Sequence, residues 1–598
     1  MPLETLCDLF YHAVDQFEKP DHLRVKRDGQ WRAIGSPEFR RSVEELSMAL
    51  RGLAVERGDR VAILCENRPE WAYADLAALC AGAVVTPIYA TLTPSQVLYI
   101  LNDSGARVLF VSGPAQASKL AAIRSRAKQL ETVIQMDGPP AEGVLSLAEV
   151  QRQGREALAR DTGSVRRHAA EVPADTLATL IYTSGTTGDP KGVMLLHSNL
   201  MSNVLAAHKV LPDLGPGDVA LSFLPLCHVF ERMGGYYLML KAGATIAYAE
   251  SVEKVPENMR EVRPTIMCSV PRLYEKMYAR VLEKVAGDPP LRQRIFHWAM
   301  GVGREAFRLR VAGTQPGPLL RLRRGLADRL VFAKIKARTG GRLRVFVSGG
   351  APLAREIAEF FGAAGLLILE GYGLTETSPV ITVNRPGKLK PGSVGVPIDG
   401  VEVRIAEDGE ILTRGPHVMK GYFNRPEATA EAIDRDGWFH TGDIGFLDPQ
   451  GFLTITDRKK DILVTSGGKN IAPQPIENRL KANHFFTEIV MIGNQRNYAA
   501  ALVVPNFETL ERWAQGRRLA FASREELVAA PEVARHYTEL IAELTGDLAH
   551  FEKIKRIALL AREFSLEAGE LTPTLKVKRR VVEQKYKDVI DRMYEGAA

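Results

Sequence analysis

Residues 60–88, RVAILCENRPEWAYADLAALCAGAVVTPI, limit the fold more than any other stretch of this chain. A short apolar run ends at a turn, a longer segment with helical spacing follows, and a second apolar run closes the unit. Strands joined in this way lie parallel, because the helix carries the chain back to the edge from which it started. The pattern returns in RLRVFVSGGAPLAREIAEFFGAAGLLILEGYGLTE, residues 342–376. There the spacing predicts a strand from Leu343 to Val347, with Pro352 in the first helical turn. Leu353, Ile357, Phe360 and Phe361 share one helix face, and a strand returns from Leu366 to Leu369. Repeated crossovers predict an α/β fold of doubly wound parallel or mixed sheets, with ligands bound outside the carboxyl ends of the strands.

With 598 residues the chain exceeds a single hydrophobic core and divides into at least two domains. After Gly392 the strands shorten and glycines punctuate them. In GVEVRIAEDGEILTRG the Glu407-Asp408-Gly409 turn between two alternating runs predicts a hairpin. These strands predict a small β-barrel-like subdomain that completes a large N-terminal domain over residues 1–457. The charged DRKKD run, Asp457 to Asp461, has few apolar anchors. It reads either as an ordinary surface turn or as an interdomain hinge over 458–460, with a smaller α+β domain over 461–598.

A net charge of +7 favours anionic partners such as nucleotides, coenzyme phosphates or an anionic membrane surface. Spread over this length it is too dilute to argue for nucleic acid. Cys7, Cys65, Cys80, Cys227 and Cys268 form no C-x-x-C pair, which points to core residues in a reducing cytoplasm. The first residues carry acids where a signal peptide needs bases, and the apolar stretch from Leu76 is too short to cross a bilayer. Residues 319–344 are rich in Arg and Lys, with Leu322, Leu326, Leu330 and Val331 at helical spacing. The first reading is a solvated basic face over a core stripe; the second is a basic amphipathic helix against anionic lipid.

LIYTSGTTGDPKGV, residues 180–193, is built to hold phosphate: small residues expose backbone N–H groups and a lysine supplies charge. It is not a P-loop. Asp189 and Pro190 separate Gly188 from Lys191, and Gly192 stands where Ser or Thr is required. GVGREA, residues 301–306, matches a dinucleotide pattern but follows a helical stretch, and GYGLTE, residues 371–376, puts Glu376 where the third glycine belongs.

Taken together, YTSGTTGDPKGV, GYGLTETSP, GWFHTGD, DRKKDILVTSGGKNIAP and LTPTLKVKRR resemble, in order and spacing, the acyl-adenylate-forming synthetases. LPLCHVFERM, VPRLYEK and LRVFVSGGAPL are most similar to long-chain fatty acyl-CoA synthetases. The resemblance implies two steps: a carboxylate attacks the α-phosphate of ATP and releases pyrophosphate, and the thiol of coenzyme A then displaces AMP. It implies that Thr183, Ser184, Gly185, Thr186, Thr187, Gly188 and Lys191 clamp the departing phosphates. Tyr372 would stack on adenine beside Gly350, Ala351 and Gly373, and Thr375 would contact the α-phosphate. Glu376 would ligate Mg²⁺, Asp443 and Arg458 would hold the ribose, and His228 would lie by the acyl carboxylate. Lys576 would bridge carboxylate and α-phosphate, although the glycine usual before that lysine is Leu575 here. Lys459 and Lys460 would form the hinge, and Ser466, Gly467 and Gly468 would admit the pantetheine arm. The implied partners are a fatty acid, ATP and CoA, with no nucleic acid, a monomer or homodimer, and peripheral contact with the inner membrane face. Three alternatives stay open: a ligase that loads a carrier protein, a CoA ligase for medium-chain or aryl acids, and a non-catalytic binding protein.

Overall fold

Both crossover units form where the spacing predicts them. Arg60–Leu64 and Val84–Ile88 pair in parallel on either side of the helix Pro69–Cys80. Val345–Ser348 pairs in parallel with Leu367–Gly373, the helix between them being Arg355–Ala364. Pro352 and Leu353 precede that helix and do not open it. The Gly349-Gly350 turn, with Gly350 at φ +82°, is followed by four non-helical residues before the first helical turn. Leu353 is buried all the same, together with Ile357, Phe360 and Phe361. The computed structural model describes residues 3–183, 189–565, 567–572 and 577–595.

From these units two sheets extend. The eight-stranded sheet runs, in spatial order, Gly421–Tyr422, Lys191–Leu196, Leu177–Thr183, Val84–Ile88, Arg60–Leu64, Ala106–Val111, Thr132–Gln135 and Leu145–Ser146. It is parallel from Leu177–Thr183 onward. The nine-stranded sheet has a parallel centre of Leu367–Gly373, Val345–Ser348, Ile266–Ser269, Val219–Ser222 and Thr245–Tyr248, with antiparallel strands at both edges. Apart from Glu70, every residue of the helix Pro69–Cys80 is buried. A helix apolar all round belongs inside the molecule, and this one lies in the layer between the sheets.

A charged pair sits in that layer without solvent exposure: Arg232 bonds Asp75. The Tyr237 hydroxyl donates to Asp75 at 2.8 Å, and Arg232 donates to the hydroxyls of Thr179 at 2.7 Å and Tyr237 at 2.9 Å. Asp75 comes from the buried helix and Thr179 from the eight-stranded sheet. Arg232 comes from the π-helical turn Glu231–Tyr237, which follows a strand of the other sheet. The network therefore ties the two sheets together. Removing one partner of a buried pair strands the other charge. Asp75→Ala is expected to destabilise the large domain by about 3–5 kcal/mol, read from the urea midpoint. A midpoint close to that of the unmodified protein would show that Arg232 is satisfied without Asp75.

A four-stranded antiparallel sheet, Glu402–Ile405, Glu410–Arg414, Phe439–Leu447 and Leu453–Arg458, stands where the barrel-like subdomain is predicted. Its first two strands pair across the Glu407-Asp408-Gly409 turn. Beyond it, Phe486–Ile492, Ala499–Pro505 and Ile554–Leu559 form a three-stranded sheet with helices packed around it. Its apolar clusters, including Ile489, Met491, Val503 and Leu510 on one side and Val490 and Leu502 on the other, draw on no residue before Leu463. This part leans on the helix Pro271–Ala286 through Arg272, 3.9 Å from both Glu488 and Glu563, and through Arg512 bonded to Glu283.

The first reading of the basic segment holds for its solvated basic face and for Val331, which packs against the core, but not for its leucines. Leu322, Leu326 and Leu330 are 74%, 50% and 41% exposed, and the buried positions are Leu320, Ala327, Phe332 and Ile335. The neighbouring helix Pro290–Val311 approaches so closely at Gly303 that a Cβ there would lie 2.8 Å from the Phe332 ring. Small and flat side chains fit this contact better than a row of leucines. GVGREA lies within that same helix and forms no nucleotide-binding turn. All five cysteines are free and buried. Among the described residues no helix is long and apolar enough to cross a membrane.

Candidate active site

Thr183 and Lys191 face each other in antiparallel register. Ser184, Gly185, Thr186, Thr187 and Gly188 lie outside the described residues. Lys191 Nζ sits 4.9 Å from the centre of the Tyr422 ring, a cation–π distance. The Tyr422 hydroxyl in turn donates to Glu376 Oε1 at 2.9 Å. Tyr422 reaches this position because Gly421–Tyr422 adds to the edge of the phosphate-loop strand, opposite Val193. Thr375 and Glu376 occupy a short 3₁₀ turn after the strand Leu367–Gly373. Burial pushes the Glu376 carboxyl up, the bond from Tyr422 only partly offsetting this. Gly373 is needed for the fold itself, since a Cβ there would fall 1.7 Å from the Pro379 carbonyl oxygen.

A second cluster joins residues far apart in the chain. The Tyr372 hydroxyl donates to Asp443 Oδ2 at 2.6 Å, and Arg458 Nε lies 3.3 Å from Asp443 Oδ1. Asp443 and Arg458 face each other on the antiparallel strands Phe439–Leu447 and Leu453–Arg458, while Tyr372 comes from the nine-stranded sheet. Burial, and after it the Asp443 carboxylate, raises the Tyr372 phenol well above its ordinary value, so it remains a donor. Ser348 pairs with Glu370, which puts Gly350 and Ala351 at the same carboxyl edge as Tyr372.

His228 lies in the turn before the Glu231–Tyr237 segment, and its Nδ1 accepts from the Phe230 N–H at 3.2 Å. Asn67, from the loop that follows Arg60–Leu64, bonds Leu226 N at 2.9 Å and Leu224 O at 2.6 Å. The His228 turn is thus braced by the other sheet. Phe230 lies against Gly349, where a Cβ would come within 3.2 Å of its ring. Phe230 thus sets the His228 turn against the loop that leads to Gly350 and Ala351.

The predicted hinge divides unequally. Lys459 Nζ bonds Asp408 at 2.6 Å and Glu410 at 3.0 Å, and its N–H donates to Gly442 O. It is anchored to the four-stranded sheet. Lys460 is exposed and makes no hydrogen bond or ion pair among the described residues. Ser466, Gly467 and Gly468 form an exposed loop, with Ser466 Oγ bonded to Asn497 Oδ1 at 2.7 Å. No bond among the described residues joins that loop to the Glu376 or Asp443 clusters. Lys576 lies outside the described residues, although Leu571 and Val577 beside its segment form an antiparallel bridge. Of the neighbouring bases, Arg579 is committed elsewhere, donating to Glu477 at 2.7 Å and to Met491 O at 2.6 Å.

Among the described residues no group of three or more His, Cys, Asp or Glu is gathered for a metal. Glu376 nevertheless suits Mg²⁺, which takes one or two carboxylates and fills its shell with substrate phosphate and water. Its half-buried carboxyl, held above the usual range by desolvation, is a group that a cation would favour ionising. Sequence reasoning passed over Tyr422, Phe230 and Asn67. Phe230 was within a quoted motif, but nothing local marks Tyr422 or Asn67.

Polar residues from two crossover sheets and an antiparallel subdomain, converging at the carboxyl ends of parallel strands, define a nucleotide-handling α/β protein of more than one domain. Residues 13–423 match the AMP-binding enzyme family and residues 460–598 match the AMP-binding enzyme C-terminal domain; the chain belongs to this family. It is 37% identical over 593 residues to the long-chain-fatty-acid–CoA ligase FadD15 of Mycobacterium bovis, covering 98% of this chain and 96% of that one. It is 33% identical over 630 residues to the peroxisomal long chain acyl-CoA synthetase 7 of Arabidopsis thaliana, covering 99% and 87%. A crystal structure of the anthranilate CoA ligase AuaEII with anthranoyl-AMP has the same fold, with a TM-score of 0.76, 21% identity and 99% of both chains covered.

Proposed function

We propose that this protein is an AMP-forming long-chain fatty acid–CoA ligase. The observation that carries the reading is the near-full-length likeness to ligases of that name, in a chain where the two polar clusters sit at the ligand end of the sheets. In the first step the fatty carboxylate attacks the α-phosphorus of ATP, and the bond to the bridging oxygen of pyrophosphate breaks. Lys191 and the loop from Thr183 to Gly188 hold the departing phosphates. Tyr372 stacks on adenine, with Gly350 and Ala351 along its edge, while Asp443 accepts from the ribose hydroxyls and Arg458 steadies that carboxylate. Thr375 contacts the α-phosphate, and Lys576 bridges it to the fatty carboxylate. Mg²⁺, held by Glu376, supplies charge neutralisation across the phosphates when bound.

In the second step the CoA thiol gives up its proton to solvent and attacks the acyl carbonyl, and AMP leaves with the bonding electrons. The small domain turns about Lys460, withdrawing Lys576 and bringing the loop of Ser466, Gly467 and Gly468 to the channel. Glycines suit a place where a thin pantetheine arm passes backbone. His228 borders the acyl carboxylate and orients it. Lys460→Pro is expected to slow thioester formation at least about tenfold more than adenylation, because proline fixes φ at the pivot. Equal loss of both half-reactions in a folded variant would remove the pivot from Lys460.

The deciding experiment is pyrophosphate release across a chain-length series of fatty acids, with and without CoA. The expected result is CoA-dependent turnover that is greatest with long chains. Acyl-AMP that accumulates and resists added CoA would instead identify a carrier-loading ligase, and no release with any acid would identify a binding protein.

A further inference from the structure

The outward face of residues 319–344 is apolar as well as basic, and the other described residues leave it uncovered. Leu319, Leu322, Leu326 and Leu330 are 62%, 74%, 50% and 41% exposed. They recur at intervals of three and four along the helix Pro318–Ala327 and the turn Asp328–Phe332, so they form one stripe. Leu320, Ala327 and Phe332 face inward from the same elements and anchor them to the domain. The stripe is therefore held rigidly and points away from the core.

Basic side chains flank it. Between residues 319 and 344 stand nine Arg and Lys against one acid, Asp328, a surplus of eight positive charges. The whole chain carries +7, so everything outside this segment sums to about neutrality. Asp328 is already paired with Lys336. Arg321, Arg323, Arg329, Lys334, Arg338 and Arg342 are exposed, and none of them forms an ion pair among the described residues.

We infer that this face docks on the surface of an anionic lipid bilayer, the leucines entering the headgroup boundary and the Arg and Lys side chains meeting lipid phosphates. Exposed leucines flanked by unpaired cations match a surface that is apolar within and negative outside. A second copy of this chain would set the same positive segment against itself. Nucleic acid would answer the charges but leave the leucines in water. The inference is independent of the ligase reading, since vesicle binding needs no substrate.

Vesicle flotation with the full chain tests it. The protein is expected to float with vesicles of phosphatidylcholine and phosphatidylglycerol in equal parts, weakly with phosphatidylcholine alone, and to be largely released from the mixed vesicles by molar salt. Leu322→Ser with Leu326→Ser is expected to weaken binding about tenfold or more, as is Arg323→Glu with Arg329→Glu. Both pairs are exposed, and unchanged urea midpoints will show that the variants fold. Failure of the unmodified protein to bind the mixed vesicles overturns the inference. So does binding that survives the leucine substitutions. A doubled mass in solution that those substitutions abolish would give the face to a second copy and overturn it equally.

Discussion

Lys576→Ala is expected to lower the rate of acyl-AMP formation about a hundred- to a thousandfold, while supplied acyl-AMP and CoA still give thioester at close to the normal rate. Adenylation pushes a carboxylate toward a triphosphate, so repulsion grows as the attacking oxygen closes on phosphorus. A cation placed between them is worth most at the transition state, where the two negative groups are nearest. Thioester formation attacks a neutral acyl carbonyl and has no such need. Measuring the half-reactions separately tests the assignment, and a parallel fall in both would refute it. Arg579 is not a ready substitute, because it is held by Glu477 and the Met491 carbonyl within the small domain.

Glu376→Gln is expected to cut adenylation by about a hundredfold or more and to raise the Mg²⁺ concentration needed for half-maximal rate. The amide keeps the size and the bond with Tyr422 but loses the charge that a hard cation requires. The carboxyl is held up by burial, so without a cation beside it the charged form is disfavoured. Tyr422→Phe makes the comparison sharper: it removes the bond to Oε1 and keeps the charge, so a smaller loss is expected. A Mg²⁺ titration unchanged in Glu376→Gln would sink the proposed metal role while leaving the nucleotide site intact.

Much of the fold was legible because crossover units announce themselves locally. Arg60–Leu64, Pro69–Cys80 and Val84–Ile88 follow from apolar runs of strand length on either side of a segment of helix length. The second unit was read with the right order but the wrong helix start, since four non-helical residues follow Gly350 before the helix Arg355–Ala364. The roles given to Glu376, Asp443 and Arg458 came another way: each stands in a short motif that resembles those of the acyl-adenylate-forming synthetases. Tyr422 has no such motif. It matters only because a two-residue edge strand carries it to Glu376, 46 positions away in sequence.

The leucines of residues 319–344 mark the boundary between the two kinds of information. Their spacing establishes that they share a face, because the helical repeat is a property of the backbone alone. Which way that face points was decided by packing: Ala327 and Phe332 are buried, Phe332 close against Gly303, while the leucines stand exposed. The same division runs through the site. Residue identities, and with them the chemistry, are local and were present in the chain. The pairing of Tyr372 with Asp443, the anchoring of Lys459 and the commitment of Arg579 depend on which distant surfaces fill one another's space. That is settled by packing across the whole molecule, and a one-dimensional pattern carries no record of it.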